Sequence, residues 1–501
     1  MSGPGELGRG GRLRDEAAPE LVRAGYAAET AHGPRLAAGL SAADLAHAVM
    51  LVESGSVGGT EAAALLRGLL ELQAIPGDSF PWDPAAGDAF NAREAELRRR
   101  VGAAAAGWLS AGRPRREALR VALRLLAREE TRRLASAQLD LAEALVAHGE
   151  AGASALATDY TYLQPAQPST VGHLMLAYAY PALRDAARLR RVHDALGESV
   201  AGAGGSAGSR WPLDRARLAE LLGLPGVAVH TRDAMWQADC YVELASAVAI
   251  GATHQSQLAQ DLEILASQEF GVAELAERHC RASALMPQKR NPYALAVIRT
   301  QAGIAAGDLT AMLSALHTGS ARTDHFHLLN GAVPRLMEEA VAVARLTADV
   351  VAGLHLDAER WGDAARRGGT AAADVADILA MDTGLDYRTA HGVVGRAIRD
   401  LIDADRPLDA LTPERLAEAA RSVDAGEVTV DPDRLAEALD PQAAAAGRRQ
   451  RGGSALEEVM AMVVECRAEV AEGRAWAAEG AARSEAATEA LLTRAEELAG
   501  G

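Results

Sequence analysis

The stretch of this chain that decides its fold reads Ala282-Ser283-Ala284-Leu285-Met286-Pro287-Gln288-Lys289-Arg290-Asn291-Pro292. It contains the only lysine in 501 residues, since the other 50 residues of the Lys+Arg total are arginines. Asparagine is nearly as rare, and Asn291 lies two residues from Lys289. Arginine replaces lysine on a solvated surface at little cost, but not where a compact ammonium must direct three donors at a small target. The position of Lys289 therefore indicates a functional requirement; the alternative is a lysine retained by chance.

The chemistry of this loop is that of an anion site. A serine, a lysine, an amide side chain and free backbone N–H groups lie close together, and such a set can also hold a nucleophile or a base. Pro292 is suited to the first turn of a helix, which we predict over 292–306. The simpler alternative is a helix cap that contains a lysine.

Two further stretches combine polar groups with rigid or permissive backbone. The stretch 159–168, Asp-Tyr-Thr-Tyr-Leu-Gln-Pro-Ala-Gln-Pro, places three hydroxyls and two amides beside two prolines. Such groups can line a site or cap the helix that follows. The glycine tract 202–209 allows a close approach of backbone, and the alternative is a flexible linker.

Composition predicts an all-α protein. Hydrophobic residues make up 49% of the chain and aromatics only 4%, and Ala and Leu are strong helix formers. The net charge of −17 argues against a nucleic-acid partner. Three widely spaced cysteines suit a reducing cytoplasm and lack the spacing of a zinc site. We see no signal peptide and no apolar run long enough for a membrane span, and we expect no cofactor.

Hydrophobic spacing predicts long helices that pack as a bundle. In 242–266, apolar or small residues recur in steps of four and three, with Gln255 as the one polar position. A similar seam follows in 334–356, and long helices that share one core form a bundle. We predict an N-terminal helical domain with a loose arm at 1–114, a central long-helix domain at 115–360 and a small helical domain at 361–501. A final helix is predicted over 454–498.

The three polar stretches, in this order, resemble the fumarase/aspartase superfamily, and within it argininosuccinate lyase most closely. The loop motif of that family, Gly-Ser-Ser-x-Met-Pro-x-Lys-x-Asn-Pro, is similar to residues 282–292. The lyase segment Tyr-Thr-His-Leu-Gln-x-Ala-Gln-Pro is similar to residues 160–168. The likeness covers roughly residues 40–400.

This resemblance implies a three-domain fold whose long-helix bundle is completed in a homotetramer, with each active site shared between subunits. It implies β-elimination from a carboxylate-bearing substrate, with release of fumarate. By the same resemblance Ser283 is the base that removes the proton beside a carboxylate, and Lys289 and Asn291 hold that carboxylate as charge develops. A water-excluded ammonium and amide stabilise this charge preferentially in the transition state. Thr161, Gln164 and Met286 would contact the substrate.

The departures from the family pattern are concentrated in the pocket walls. Tyr162 replaces the family histidine, and a phenol donates a proton but cannot act as an imidazole does near neutral pH. The segment Gly-Arg-Ser-Arg-Asn-Asp becomes residues 112–117, Gly-Arg-Pro-Arg-Arg-Glu, so that Arg113, Arg115 or Arg116 would supply a carboxylate clamp. The family arginine in Ser-Asp-Arg-Asp is Ala238, next to a bulky Trp236. We therefore predict a substrate other than argininosuccinate.

His325 and His327 lie in the segment that holds the nitrogenous half of the family substrate, and we assign His325 to substrate binding. Two histidines at i, i+2 could also bind a metal, but no third ligand is evident and we predict none. With this resemblance and its departures taken together, three functions remain open. The favoured one is a cytoplasmic C–N lyase. The others are a repurposed enzyme that performs addition, cyclisation or loss of another leaving group, and an inactive binding or structural homologue.

Overall fold

The computed structural model describes residues 15–319 and 321–500, and most of them are helical. The predicted loose arm falls largely outside the described residues, but from Pro19 the chain is helical. The N-terminal helices are α1 (Pro19–Leu21), α2 (Ala27–Thr30), α3 (Gly33–Glu53), α4 (Gly59–Gln73) and α5 (Ala89–Ala106). The proline-rich stretch between α4 and α5 is a loop with two short 3-10 turns, as its composition predicts.

The central part of the chain contains the longest helices. They are α6 (Arg115–Ala151), α7 (Val171–Ala195), α8 (Arg215–Leu221), α9 (Thr231–Trp236), α10 (Asp239–Leu265), α11 (Tyr293–Ala315) and α12 (His325–Ala352). The packing of α6 against α7 and α12, and of α10 against α11, forms the predicted bundle. Helix α11 extends nine residues beyond the predicted 292–306, with Pro292 as its N-cap.

The seam predicted in 242–266 is buried, and the structure explains why it contains a glycine, Gly251, and a polar residue, Gln255. Gly251 lies where an added Cβ would be 3.0 Å from Nε2 of Gln138, so glycine leaves room for this buried side chain of α6. Gln255 is buried and accepts a hydrogen bond from Thr347 Oγ1 of α12 at 3.4 Å. The one polar position in the seam is therefore hydrogen-bonded to a neighbouring helix.

The C-terminal part begins with small helices. Its helices are α13 (Ala358–Arg367), α14 (Ala372–Thr383), α15 (Tyr387–Asp403), α16 (Pro413–Ser422), α17 (Pro432–Leu439), α18 (Pro441–Ala446) and α19 (Leu456–Gly500). Residues from α14 to α17 bury a core of their own. The final helix agrees with the predicted 454–498 to within two residues at each end, and it packs along α6, α4, α7 and α3 rather than on that small core. We retain boundaries at 114 and 360 as a proposal, with α19 assigned to the bundle.

The strands are short and form four two-stranded sheets among the described residues. They are β1 (Leu156–Thr161), β2 (Gln164–Thr170), β3 (Glu198–Ser199), β4 (Gly226–Val227), β5 (Ala273–Glu274), β6 (Arg281–Ala282), β7 (Arg290–Asn291) and β8 (His355–Leu356). The pairs are β1 with β2, β3 with β4, β5 with β8 and β6 with β7. These short sheets only connect segments between the helices, and they form no larger sheet. The all-α class predicted from composition is therefore confirmed.

In the part of the chain that the structure describes, one helix has the length and hydropathy of a membrane span. It is α3, and 67% of the relevant window is buried inside the protein. Its apolar residues belong to the largest hydrophobic core, together with residues of α4, α6 and α10. We therefore interpret α3 as a core helix.

Candidate active site

The tip of the β1–β2 hairpin projects fully into solvent. Tyr162 and Leu163 form its two-residue turn, and both have a left-handed backbone, with φ of 53° and 59°. Turns of this kind usually contain Asn and Gly, because other residues pay about 1–2 kcal/mol each for a left-handed conformation. Tyr162 is 101% exposed and Leu163 55%. Two large side chains therefore occupy a strained, solvated turn, flanked by the exposed Thr161 and Gln164.

The base of the hairpin is rigid. The indole Nε1 of Trp361 donates to the carbonyl oxygen of Thr158 at 3.0 Å, and Thr158 is fully buried. Tyr160 packs edge-on against Phe270 with ring centroids 5.4 Å apart. The tip is thus presented outward on a fixed stem.

The loop 283–289 is closed at its neck by β6 and β7. Asn291 donates through Nδ2 to the carbonyl oxygen of Arg281 at 3.0 Å, and Arg290 forms an ion pair with Glu274 at 2.7 Å. The guanidinium of Arg281 lies 5.2 Å from the ring centroid of Tyr293. In this single chain Asn291 therefore supports the loop.

Inside the loop, Ser283 accepts backbone hydrogen bonds at its hydroxyl. The N–H of Met286 donates to Ser283 Oγ at 3.0 Å and that of Leu285 at 3.3 Å. Donors aimed at this oxygen favour its negatively charged form. The Lys289 side chain is exposed, and its backbone N–H donates to the carbonyl oxygen of Met286 at 3.0 Å. Among the described residues no ion pair neutralises this ammonium.

A pocket of about 770 Å³ lies at the N-terminal end of α6. Its walls come from four segments: the start of α6, the glycine tract, α9 and the residues before α12. The lining residues include Arg116, Ser206, His230, Arg232, Trp236 and Thr323. None of the lining residues is acidic, whereas four other pockets in the described part of the chain each have carboxylates in their walls. In a protein of net charge −17, this pocket is cationic.

Arg113 does not line this pocket. It donates to the carboxylate of Asp44 at 2.7 Å and to the carbonyl oxygen of Ala43 at 3.0 Å, and its side chain is 2% exposed. Arg93 joins the same carboxylate at 3.2 Å. The predicted clamp role of Arg113 is therefore not supported, because its charge is already used in a buried structural ion pair.

Arg115 is also paired within the protein. Its Nη1 lies 2.6 Å from Oδ2 of Asp88, and burial raises the pKa of that aspartate despite the arginine. Arg116, next along the helix, is exposed, lines the pocket and contacts Thr323 Oγ1. Of the three arginines considered from the sequence, only Arg116 points into the cationic pocket.

His325 lies behind the pocket rather than in it. It is 3% exposed, and its Nε2 hydrogen-bonds the carbonyl oxygen of Trp236 at 2.8 Å. Burial lowers its pKa, so the neutral ring donates to that carbonyl. Arg120 donates to the adjacent carbonyl, that of Met235, at 2.7 Å. His325 therefore positions the wall formed by Trp236, and direct substrate binding is not supported.

His327 forms a separate pair with Glu29 at 2.8 Å, which raises the pKa of the histidine. The two histidines therefore face different partners. Across 15–319 and 321–500, no group of three or more His, Cys, Asp or Glu side chains is placed to hold a metal ion.

Glu117 is a residue of this site that sequence reasoning did not single out. It is 1% exposed and accepts hydrogen bonds from the backbone N–H groups of Gly202 at 2.8 Å and Gly204 at 2.6 Å. Burial raises its pKa to about 7, against these two hydrogen bonds and the nearby Arg113 and Arg215. The glycine tract is thus anchored, and the flexible-linker alternative is wrong. An acidic residue at the start of a buried helix was the available signal.

The single chain presents the predicted site residues in three places. Ser283, Lys289, Met286 and Asn291 lie on the loop, Thr161, Tyr162 and Gln164 on the hairpin, and Arg116 in the pocket. No hydrogen bond or ion pair within the described residues joins Tyr162 to Ser283 or Lys289. Each segment is exposed and polar, as parts of a site shared between subunits would be.

Comparison with known proteins places these features in a family. The lyase family model matches residues 29–307, and the model of the argininosuccinate lyase C-terminal region matches 369–446. The argininosuccinate lyase of Methanoculleus marisnigri is 33% identical over 432 residues, which cover 85% of each chain. That of Thermus thermophilus is 36% identical over 377 residues, 74% of this chain and 80% of the relative.

Solved structures agree. EDDS lyase in complex with formate has a TM-score of 0.85 and 27% identity, and the match covers 97% of this chain and 96% of that one. The 3-carboxy-cis,cis-muconate lactonizing enzyme from Pseudomonas putida has a TM-score of 0.71 at 21% identity, with 88% and 95% covered, which shows a shared fold alone.

Proposed function

The chain belongs to the fumarase/aspartase superfamily, close to argininosuccinate lyase, and is a lyase; on that premise we propose that it cleaves a C–N bond by β-elimination. The substrate would be a small carboxylate other than argininosuccinate, and the product fumarate or a related unsaturated acid. The observation that carries this proposal is the geometry of one loop. Ser283 Oγ accepts two backbone hydrogen bonds within six residues of the only lysine in the chain.

In this mechanism Ser283 is the base. Backbone N–H donors and the Lys289 ammonium lower the cost of forming its alkoxide, which removes the proton beside a substrate carboxylate. The electron pair moves onto that carboxylate, where Lys289 balances the growing charge. The pair then returns to expel the amine, and the C–C double bond of the unsaturated acid forms.

The cationic pocket supplies a site for substrate carboxylate. In the family segment that residues 112–117 resemble, Arg116 takes the position of an asparagine, and a guanidinium binds a carboxylate through two parallel N–H groups. Arg232 adds a second positive charge to the wall, and His230, Thr231 and Ser206 lie beside it. Because no acidic side chain lines this pocket, it is poorly suited to a guanidinium group.

The hairpin supplies Tyr162 as the candidate acid that protonates the leaving amine. A phenolic hydroxyl carries one O–H donor and can pass its proton to a leaving group. Thr161 and Gln164 flank it as hydrogen-bonding residues. The strained conformation of the exposed turn supports a role in contacts outside its own chain, since strain of this kind persists where function requires it.

A homotetramer is part of this proposal. Helix α11 exposes a face of small and apolar side chains that includes Gly303, Ile304 and Gly307. A Cβ added at Gly303 or Gly307 would meet nothing within 4 Å in the single chain. Such a face allows a second copy of the helix to pack closely. We also propose a cytoplasmic location, without a nucleic-acid or membrane partner and without a cofactor.

The test is a screen for an unsaturated acid. The protein is incubated with N-succinyl adducts of small amines, and separately with fumarate and amines, and the ultraviolet absorbance of the unsaturated acid is followed. We expect absorbance to rise with at least one adduct and Ser283→Ala to abolish it. Ser422→Ala, at a helix end of the small C-terminal core, is the matched control.

A product without a new C–C double bond would replace elimination by another reaction. Full turnover by Ser283→Ala would show that this serine is not the base. An active protein that cleaves argininosuccinate as its best substrate would contradict the proposed pocket specificity.

A further inference from the structure

The glycine tract 202–209 is held by a carboxylate on a different element. Glu117, in the first turn of α6, accepts the N–H groups of Gly202 and Gly204, one with each carboxylate oxygen. Among the described residues, neither of these two N–H groups has a backbone carbonyl as its acceptor. Hydrogen bonds to an ionised acceptor are roughly twice as strong as neutral ones. One side chain therefore accepts hydrogen bonds from two backbone N–H groups of an otherwise irregular segment.

The tract can only adopt this path with glycine. Gly202 and Gly204 have φ of 73° and 67°, and a Cβ on Gly204 would lie 2.7 Å from the carbonyl oxygen of Gly208. The segment folds back on itself there, with a bridge between Gly204 and Gly208. Within this loop Ala203 is buried in the main hydrophobic core, and hydrogen bonds with Glu117 and Thr231 supply the further attachments.

The folded-back part of the tract is the wall of the cationic pocket. Gly205, Ser206 and Ala207 line that pocket together with Arg116. The carbonyl oxygen of Ser206 also accepts a hydrogen bond from Thr231 Oγ1 at 2.8 Å. Because Arg116 and Glu117 are consecutive on α6, the arginine that lines the pocket and the carboxylate that holds the glycine tract share one helical turn.

We propose that Glu117 is a positioning residue, which sets the distance between the glycine tract and Arg116 and thereby the affinity of the pocket for a carboxylate ligand. Glu117 does not touch the ligand. The inference rests on the proposed function only in naming the ligand as a dicarboxylate. The charges of Arg113 and Arg215 act on Glu117, and Arg215 also donates to the carbonyl oxygen of Ala201, just before the tract.

The experiment compares Glu117→Gln with Glu117→Asp and the wild type. Gln keeps the size of the side chain but offers one oxygen, so one of the two N–H groups loses its acceptor. Asp keeps both oxygens. Glu129→Gln is the control, because Glu129 lies on the same helix and pairs with Arg132 and Arg133 away from the pocket. Two quantities are measured: amide hydrogen exchange across residues 200–209, and the Kd for fumarate by calorimetry.

For Glu117→Gln we expect exchange in the tract to accelerate at least about tenfold, with the helices of the bundle unchanged, and fumarate affinity to fall about tenfold. Glu117→Asp should restore part of the exchange protection and part of the fumarate affinity. Glu129→Gln should change neither the exchange in the tract nor the Kd. Unchanged exchange in the tract would overturn the proposal, as would faster exchange that spreads equally through α6 and α7. If the wild type does not bind fumarate, fumarate is excluded as the product in the proposed function. The exchange data still decide whether Glu117 holds the tract.

Discussion

Arg113 donates through Nη2 to Oδ1 of Asp44 at 2.7 Å, and both side chains are almost completely buried. Three residues further on, Arg116 is exposed in the cationic pocket. Two arginines three residues apart therefore have different roles, one structural and one available to a ligand. Arg113 ties the segment before α6 to α3, and Arg116 remains available to a ligand.

Replacing these two arginines should therefore give opposite results. We expect Arg113→Ala to destabilise the protein by about 3–5 kcal/mol, because it leaves a buried carboxylate with less compensation. Arg116→Ala should change the free energy of unfolding by less than about 0.5 kcal/mol but lower kcat/KM at least about tenfold. Urea unfolding and steady-state kinetics measure the two effects. Loss of stability without loss of activity in Arg116→Ala would remove it from the site.

Lys289→Arg is the sharpest substitution in the loop. It preserves the charge but replaces a compact ammonium by a planar guanidinium, which cannot direct its donors at the same small target. We expect kcat to fall at least about a hundredfold with the melting temperature unchanged. The control is Arg366→Lys, an exposed residue that pairs with Asp363. Wild-type turnover by Lys289→Arg would show that this lysine serves no specific chemical role.

The buried Glu117 should make stability depend on pH. Its pKa is about 7 in the folded protein and near 4.5 when unfolded, so the folded state binds more protons between these values. Glu117 thus contributes stability that is fully present below its pKa in the unfolded chain. That stability is lost as the pH rises through its pKa in the folded protein. Between about pH 5.5 and 8 the wild type should lose about 2 kcal/mol relative to Glu117→Gln.

This pH effect is measured as the difference between the urea unfolding curves of the two proteins at each pH. The comparison cancels the other buried acids, such as Asp88 and Asp185, whose pKa values are also raised by burial. A constant difference across this range would mean that Glu117 is already ionised in the folded protein at the lower pH.

Assembly should depend on the exposed face of α11. Gly303→Glu combined with Gly307→Glu places two carboxylates on that face without a clash in the single chain. We expect the assembled mass to fall, because buried unpaired charges are costly in a close helix contact. Gly395→Glu, also on a helix with open space around the added Cβ, is the control. A tetrameric double variant in light scattering would exclude this face as an interface.

Sequence alone settled the fold class, the long-helix seams and the loop that contains Ser283 and Lys289. These features depend on local information. Helical periodicity places apolar residues on one face within a few turns, and a loop motif keeps its residues within a dozen positions. The helix predicted over 292–306 and the final helix also follow from local sequence.

Only the tertiary structure decided which arginine faces the pocket and what holds the glycine tract. Arg113 and Asp44 are 69 residues apart in sequence, and Glu117 lies 85 residues from Gly202. Composition cannot distinguish Arg113 from Arg116, because burial and the choice of ion-pair partner depend on which helices meet. The sequence therefore defined the loop that contains Ser283 and Lys289. The packing of α3, α6 and the tract defined the pocket, since desolvation and pairing arise only once distant segments are in contact.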